Sequence, residues 1–160
     1  MIVLYLLAIL ILLCFFVGMM CLRKCCLRKA PPTLEQVFAK QERRWGRDVT
    51  ELRRCAAWYQ EQKTEPMDLL SFDGLQLHGR WLPAEGPSKG RILLFHGYRS
   101  LVLEDLAGLI PFYHSLGYDL LIPDQRAHGD SEGQFIGFGV LERKDCISWL
   151  RYLDSRFGPA

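Results

Sequence analysis

The residues that could do chemistry gather in two short polar stretches. One is His96-Gly97-Tyr98, and the other runs from Asp124 through Gln125, Arg126, Ala127, His128, Gly129 and Asp130 to Ser131. The second continues into Glu132-Gly133, so residues 129–133 spell G-x-S-x-G, a pattern associated with a serine nucleophile. His128 stands three residues before Ser131 as a candidate base. The corresponding chemistry is attack of an activated hydroxyl on an acyl carbon. The pattern carries that meaning only where a strand runs straight into it and a helix leaves it, because the sharp turn presents the oxygen. Here the preceding apolar run ends at Pro123, and Gln134 to Gly139 contains Gly137 and Gly139 and starts no helix. Ser131 is therefore read as a loop serine.

Both stretches follow apolar runs that can position them. Ile92-Leu93-Leu94-Phe95 is continuous, as expected of a strand buried on both faces rather than one that alternates. Leu120-Leu121-Ile122 is a second such run. Leu103 to Leu116 between them is long enough for a crossover helix, with a kink or fresh start at Pro111, and Gly117 is placed to stop it. Two buried strands joined this way predict a parallel βαβ unit. Ligands of such sheets collect at the carboxyl ends of the strands, where both polar stretches fall.

His-Gly after an apolar strand, followed at this spacing by Gly117-Tyr118-Asp119-Leu120-Leu121-Ile122-Pro123-Asp124-Gln125-Arg126-Ala127-His128-Gly129-Asp130-Ser131-Glu132-Gly133, resembles the α/β-hydrolase family, and most of all its bacterial membrane-anchored members. The resemblance covers roughly residues 66 to 160. It implies an α/β fold: the amino-terminal portion of a hydrolase sheet, with an antiparallel hairpin, parallel strands and helices. It also implies roles. His96-Gly97 becomes the turn after the third strand, and the backbone N–H of Tyr98 becomes one donor of the oxyanion hole. His96 is then a structural histidine. Asp124, Arg126, His128, Gly129 and Ser131 match the family's D-x-R-x-H-G-x-S loop and are read as a buried polar network, with the planar Arg126 tying the loop to several carbonyls. The family's catalytic order is Ser, acid, His. No histidine follows His128, so the resemblance places the nucleophile, acid and catalytic histidine after Ala160 and no catalytic residue within this chain. The expectation is an amino-terminal part of a serine hydrolase acting on an ester, thioester or amide, inactive as written, in which the resemblance leaves Ile92 to Phe95 on an open apolar edge because the family's next strand is missing. The alternative is a non-enzymatic, membrane-anchored interaction protein built on a partial hydrolase fold.

The rest of the chain supplies an anchor and a neck. Met1 to Leu22 is apolar and uncharged. As a helix it would be about 33 Å long, which matches a hydrocarbon core of about 30 Å. It lacks the positive leader and small-residue cleavage site of a signal peptide. Residues 1–22 are therefore read as a single transmembrane anchor in contact with the bilayer. Residues 23–32 are a basic linker. Arg23, Lys24, Arg28 and Lys29 place that side, and the soluble part, in the cytoplasm. Residues 33–65 form a helical neck. Thr33 and Gln36 make a capping box; Leu34, Val37, Phe38, Gln41 and Trp45 form one stripe, and Val49, Leu52, Ala56 and Tyr59 another. Residues 66–160 are an incomplete hydrolase domain. It opens on a hairpin with a two-residue Asp73-Gly74 loop, with His78 on its solvated face. It closes on a helix from Val140 to Phe157, with Cys146, Leu150, Leu153 and Phe157 as the buried stripe.

Formal net charge is +2, and the cluster within residues 1–29 accounts for it, leaving the globular part slightly acidic. That excludes a basic nucleic-acid-binding face. Of the six cysteines, Cys21, Cys25 and Cys26 lie beside the anchor, where S-acylation is open. They lack the second pair that a zinc site needs, so neither metal nor cofactor is expected. A small acyl substrate is the remaining partner. If Ser131 is a loop serine, residues 31–160 should not turn over p-nitrophenyl acetate, and Ser131→Ala should change nothing. Turnover abolished by that substitution would identify Ser131 as the nucleophile.

Overall fold

A computed structural model describes residues 1–46 and 48–159, leaving aside the side chain of Trp45. The place of the Trp45 side chain in the first neck stripe, and Ala160, thus lie outside what is described. The first element, α1 (Ile2–Cys25), has no buried residue and is long and apolar enough to cross a membrane. It extends past Leu22 to take in Arg23 and Lys24.

Two amphipathic helices follow, α2 (Leu34–Trp45) and α3 (Thr50–Glu61). The Thr33–Gln36 capping box is formed reciprocally, and Gly46 closes α2 in the left-handed conformation that glycine adopts without strain. Phe38, Val49 and Ala56 pack with Ala107, while Trp58 and Tyr59 reach the sheet core. Both helices thus lie on the body of the fold.

The sheet is mixed. Strands β1 (Glu65–Leu70), β2 (Gln76–Leu82), β3 (Arg91–Leu93) and β4 (Asp119–Pro123) stand in the order β1-β2-β4-β3. The β1–β2 and β2–β4 pairs are antiparallel, and β3 runs parallel to β4. Leu94 N–H extends that ladder to Leu121 O (2.9 Å). The crossover comes as two pieces, α4 (Val102–Asp105) and α5 (Leu109–Ser115), and α6 (Glu142–Phe157) ends the chain's regular structure. Pro111 falls in the first turn of α5, where its missing N–H costs no hydrogen bond. Cores lie on both faces of the sheet. Met67, Leu77, Trp81 and Leu121 meet Trp149 and Leu153 of α6, and Leu82, Leu120 and Ile122 meet Leu106 and Ile110 of the crossover.

Three sequence expectations need correction. β3 lies at the open edge expected of it, pairing among the described residues only with β4, but it is not buried on both faces: Ile92, Leu93 and Phe95 stay half-buried and Leu94 alone is fully buried. The hairpin loop has three residues, Phe72-Asp73-Gly74. Gly74 N–H donates to Ser71 O (3.1 Å), Ser71 N–H to Leu75 O (2.8 Å), and Gly74 takes φ +86° to let the strands rejoin. The buried stripe of α6 is Asp145, Trp149 and Leu153; Leu150 is exposed, and Phe157 is partly exposed with its ring stacked on Trp81. Trp149 wins because Gly79 of β2 leaves it room. A Cβ there would meet the Trp149 ring at 3.4 Å and Pro123 Cα at 3.3 Å. Trp149→Ala would open a cavity at that contact and should cost about 3–5 kcal/mol in a urea titration.

Candidate functional site

β3 and β4 both end at the same edge of the sheet, and their following loops interlock there through two histidines. His96 is buried; its Nε2 accepts the backbone N–H of Gln125 (3.2 Å) and its Nδ1 lies 3.0 Å from Gly97 O. His128 repeats the arrangement in the other direction. Its Nε2 accepts the backbone N–H of Arg99 (3.2 Å), and its Nδ1 lies 3.0 Å from Arg126 O. A backbone N–H can only donate, so each Nε2 must be bare and each Nδ1 must carry the proton that it gives to a carbonyl. Both rings are therefore neutral, and they meet edge to face with centroids 4.8 Å apart. Burial holds the His128 pKa below its ordinary value. The Gln125 side chain also donates to His96 O.

This lock shapes the turn at Gly97-Tyr98. Gly97 N–H donates to the Asp105 carboxylate (2.6 Å), and Ser100 N–H returns to Gly97 O (3.3 Å). Arg99 takes φ +55°, a left-handed conformation that costs a non-glycine residue about 1 kcal/mol or more. Among the described residues no acceptor takes the Tyr98 N–H. Beside it lies a cavity of about 310 Å³ lined by His96, Gly97, Tyr98, Gln125, Phe138 and Glu142, among others. A second cavity, of about 340 Å³, lies on the far side of His96 and His128 and is bordered by Asp68, His78 and Asp124. His78 is not simply solvated: its Nδ1 is 2.6 Å from the Asp68 carboxylate across the hairpin.

Ser131 lies in the loop after β4 with no exposed surface. Its hydroxyl donates to Asp124 O (2.6 Å) and accepts His78 N–H (2.8 Å). Neither nitrogen of His128 is free to activate it. Gly129 sits at φ +47°, and a Cβ there would collide with the Asp124 carboxylate, which accepts Asp130 N–H (3.0 Å). Arg126 is buried but does not bind carbonyls. It forms bidentate pairs with carboxylates, Asp145 at 2.6 and 2.7 Å and Asp73 at 2.9 and 3.1 Å. Arg126 draws the Asp73 pKa down to about 2. Sequence reasoning read Asp73 only as a hairpin-turn residue and passed over Asp105 and Asp145, although these carboxylates hold the Gly97 N–H and Arg126. Among the described residues no cluster of side chains could hold a metal ion.

Two parallel strands delivering a His-Gly turn and a polar loop to one edge, with an antiparallel hairpin beside them, make this the α/β-hydrolase fold in its amino-terminal part. Solved structures agree. The chain is similar to an esterase from Pyrococcus furiosus (23% identity, TM-score 0.54), the match covering 69% of this chain and 40% of that one. It is also similar to an α/β hydrolase from Vibrio vulnificus (18% identity, TM-score 0.50), with 84% and 50% covered. The chain thus spans half or less of the length of these two solved structures. No family model and no curated protein matches it.

Acid should dissolve the site in two stages. Below about pH 6.5 the unfolded chain takes up a proton that the folded His128 ring refuses, so stability falls as pH drops through that range. Asp73 is depressed when folded, so its contribution is intact above about 3.8 and is lost as pH falls towards about 2. Denaturation midpoints followed against pH should lose the first slope in His128→Asn and the second in Asp73→Asn.

Proposed function

We propose that this chain is the amino-terminal part of a membrane-anchored serine hydrolase that cleaves an ester, thioester or amide bond. The observation that carries the reading is the Tyr98 N–H at the carboxyl edge of β3, unclaimed among the described residues, on a residue that lines a cavity large enough for a small acyl group. A donor held there by the His96–Gln125 and His128–Arg99 contacts costs no reorganisation when charge develops on a carbonyl oxygen, and such preorganisation is the main source of oxyanion stabilisation. Tyr98 supplies that donor, and Gly97 and His96 form its turn. Asp124, Arg126, His128, Gly129 and Ser131 keep the neighbouring loop in place without touching substrate.

Nucleophile, acid and base come from sequence beyond residue 160, and residues 1–160 alone are inactive. Three observations support this: the burial of Ser131, the full commitment of His128, and the partial coverage of the matched hydrolases. The apolar α1 lies in the bilayer with Arg23, Lys24, Arg28 and Lys29 on the cytoplasmic side, and the partners are lipid and a small acyl substrate, with no nucleic acid.

Sequencing the source DNA past codon 160 tests the reading. The frame should continue into a strand, a G-x-S-x-G elbow and a later acid and histidine. A fluorophosphonate should label the product of that longer frame and leave residues 1–160 unlabelled. A verified stop after Ala160 would overturn it in favour of the binding reading, for which the unpaired side of β3 is the available surface.

A further inference from the structure

The segment that leaves α1 does not hang free. Residues 25–28 are stitched along the carboxyl edge of the sheet, beside the candidate site. The Tyr98 hydroxyl donates to Cys25 O (2.6 Å), and Ile136 N–H to Cys26 O (2.7 Å). Leu27 makes an antiparallel bridge with Phe135, while Arg28 N–H donates to Gln134 O (2.7 Å). The Arg99 guanidinium donates to Leu27 O (2.9 Å), and that of Arg28 to Ser131 O (2.6 Å) and Gly129 O (2.5 Å). The strap therefore holds both site loops, and it fixes the edge of the body that lies next to the end of α1.

We infer that the carboxyl edge of the sheet docks on the headgroup layer of the bilayer, with Tyr98, Phe135, Phe138 and Val140 as its contact surface. The inference rests on the reading that α1 spans the membrane. At 1.5 Å per residue the 24 residues of α1 reach about 36 Å, against a hydrocarbon core of about 30 Å, so the turn carrying Arg23 and Lys24 emerges into the headgroups. Tyr98 touches Cys25 O, so its ring stands at the same depth, and tyrosine favours that layer. Phe138 stacks on Tyr98 with centroids 5.0 Å apart. All four contact residues are exposed, Tyr98 by 50%, Phe135 by 49%, Phe138 by 60% and Val140 by 62%. Charge agrees with the placement. Lys29, Lys40 and Arg99 line a cavity of about 240 Å³ beside the strap, and none of the residues lining it is acidic. Basic side chains at this level are drawn to anionic lipid. A substrate entering the cavity beside the Tyr98 N–H then arrives from the headgroup layer.

Tryptophan quenching in vesicles tests this with the full chain. Vesicles of phosphatidylcholine and phosphatidylglycerol with acyl chains brominated near the headgroup quench only nearby indoles. Leu10→Trp reports on α1. Phe138→Trp and Val140→Trp report on the carboxyl edge. Leu116→Trp reports on the opposite edge, one strand length away (about 17 Å). The unmodified chain corrects for the native tryptophans. The added fluorescence of Leu10→Trp and of both carboxyl-edge variants should be largely lost, and that of Leu116→Trp retained. If Leu10→Trp is quenched but neither carboxyl-edge variant exceeds Leu116→Trp, docking is overturned and the membrane reading of α1 survives. If Leu10→Trp is not quenched, α1 is outside the bilayer and both fail.

Discussion

One buried guanidinium joins the parts of this fold that are distant in sequence. Arg126, in the loop after β4, grips Asp73 in the β1–β2 hairpin and Asp145 on α6, and its planar donors meet both carboxylates in pairs. Arg126 and Asp145 are almost fully shielded from water, whereas Asp73 is partly exposed. Such a cluster is weak evidence of net stability, because desolvating the charges offsets much of their attraction. Its constraint is on geometry. A single partner lost from a buried pair leaves an uncompensated charge, at about 3–5 kcal/mol, so alternative placements of the loop, the hairpin or the helix are disfavoured together.

With that loop fixed at its root, the rest of the site follows from neutral hydrogen bonds. Each of the two histidines takes a backbone N–H from the loop that carries the other, so neither loop can shift without breaking a bond in its neighbour. Ser131 fastens the same loop to β2 through His78 N–H. The consequence for chemistry is direct. The side chains that look reactive in the sequence, His96, His128 and Ser131, are all spent on architecture. What the proposed reading leaves for chemistry is the main-chain N–H of Tyr98, which the sequence marks only through the resemblance of its His-Gly turn.

The strap at residues 25–28 gives the same edge a third tie. It contributes main-chain and arginine hydrogen bonds to loops more than a hundred residues away, including Arg28 to Ser131. An apolar helix that would otherwise be a passive tether is thereby set in a defined relation to the site. The exposed aromatics around Tyr98 lie at that junction, next to a polar loop.

Much of the fold was legible in the sequence because it is governed by short-range rules. The apolar length of α1, the Thr33–Gln36 cap, the Gly117 stop, the β4 run and the order of the two polar loops each depend on neighbouring residues alone. Periodicity was weaker where two faces compete: it put Leu150 rather than Trp149 on the buried side of α6, because the space left by Gly79 on another element decides that choice. The continuous run at Ile92–Phe95 alone looked doubly buried; its edge position followed from the strand order that the resemblance implies, because the neighbouring strand is not among these residues. The residue types of the site, His96, Gly97, Tyr98, Asp124, Arg126, His128, Gly129 and Ser131, were set by sequence. Only the tertiary structure decided what each one holds. Hydrogen-bond partners such as Asp73, Asp105, Asp145 and the strap carbonyls are brought in by folding from unconnected segments, and no local pattern encodes a contact made across such distances in the chain.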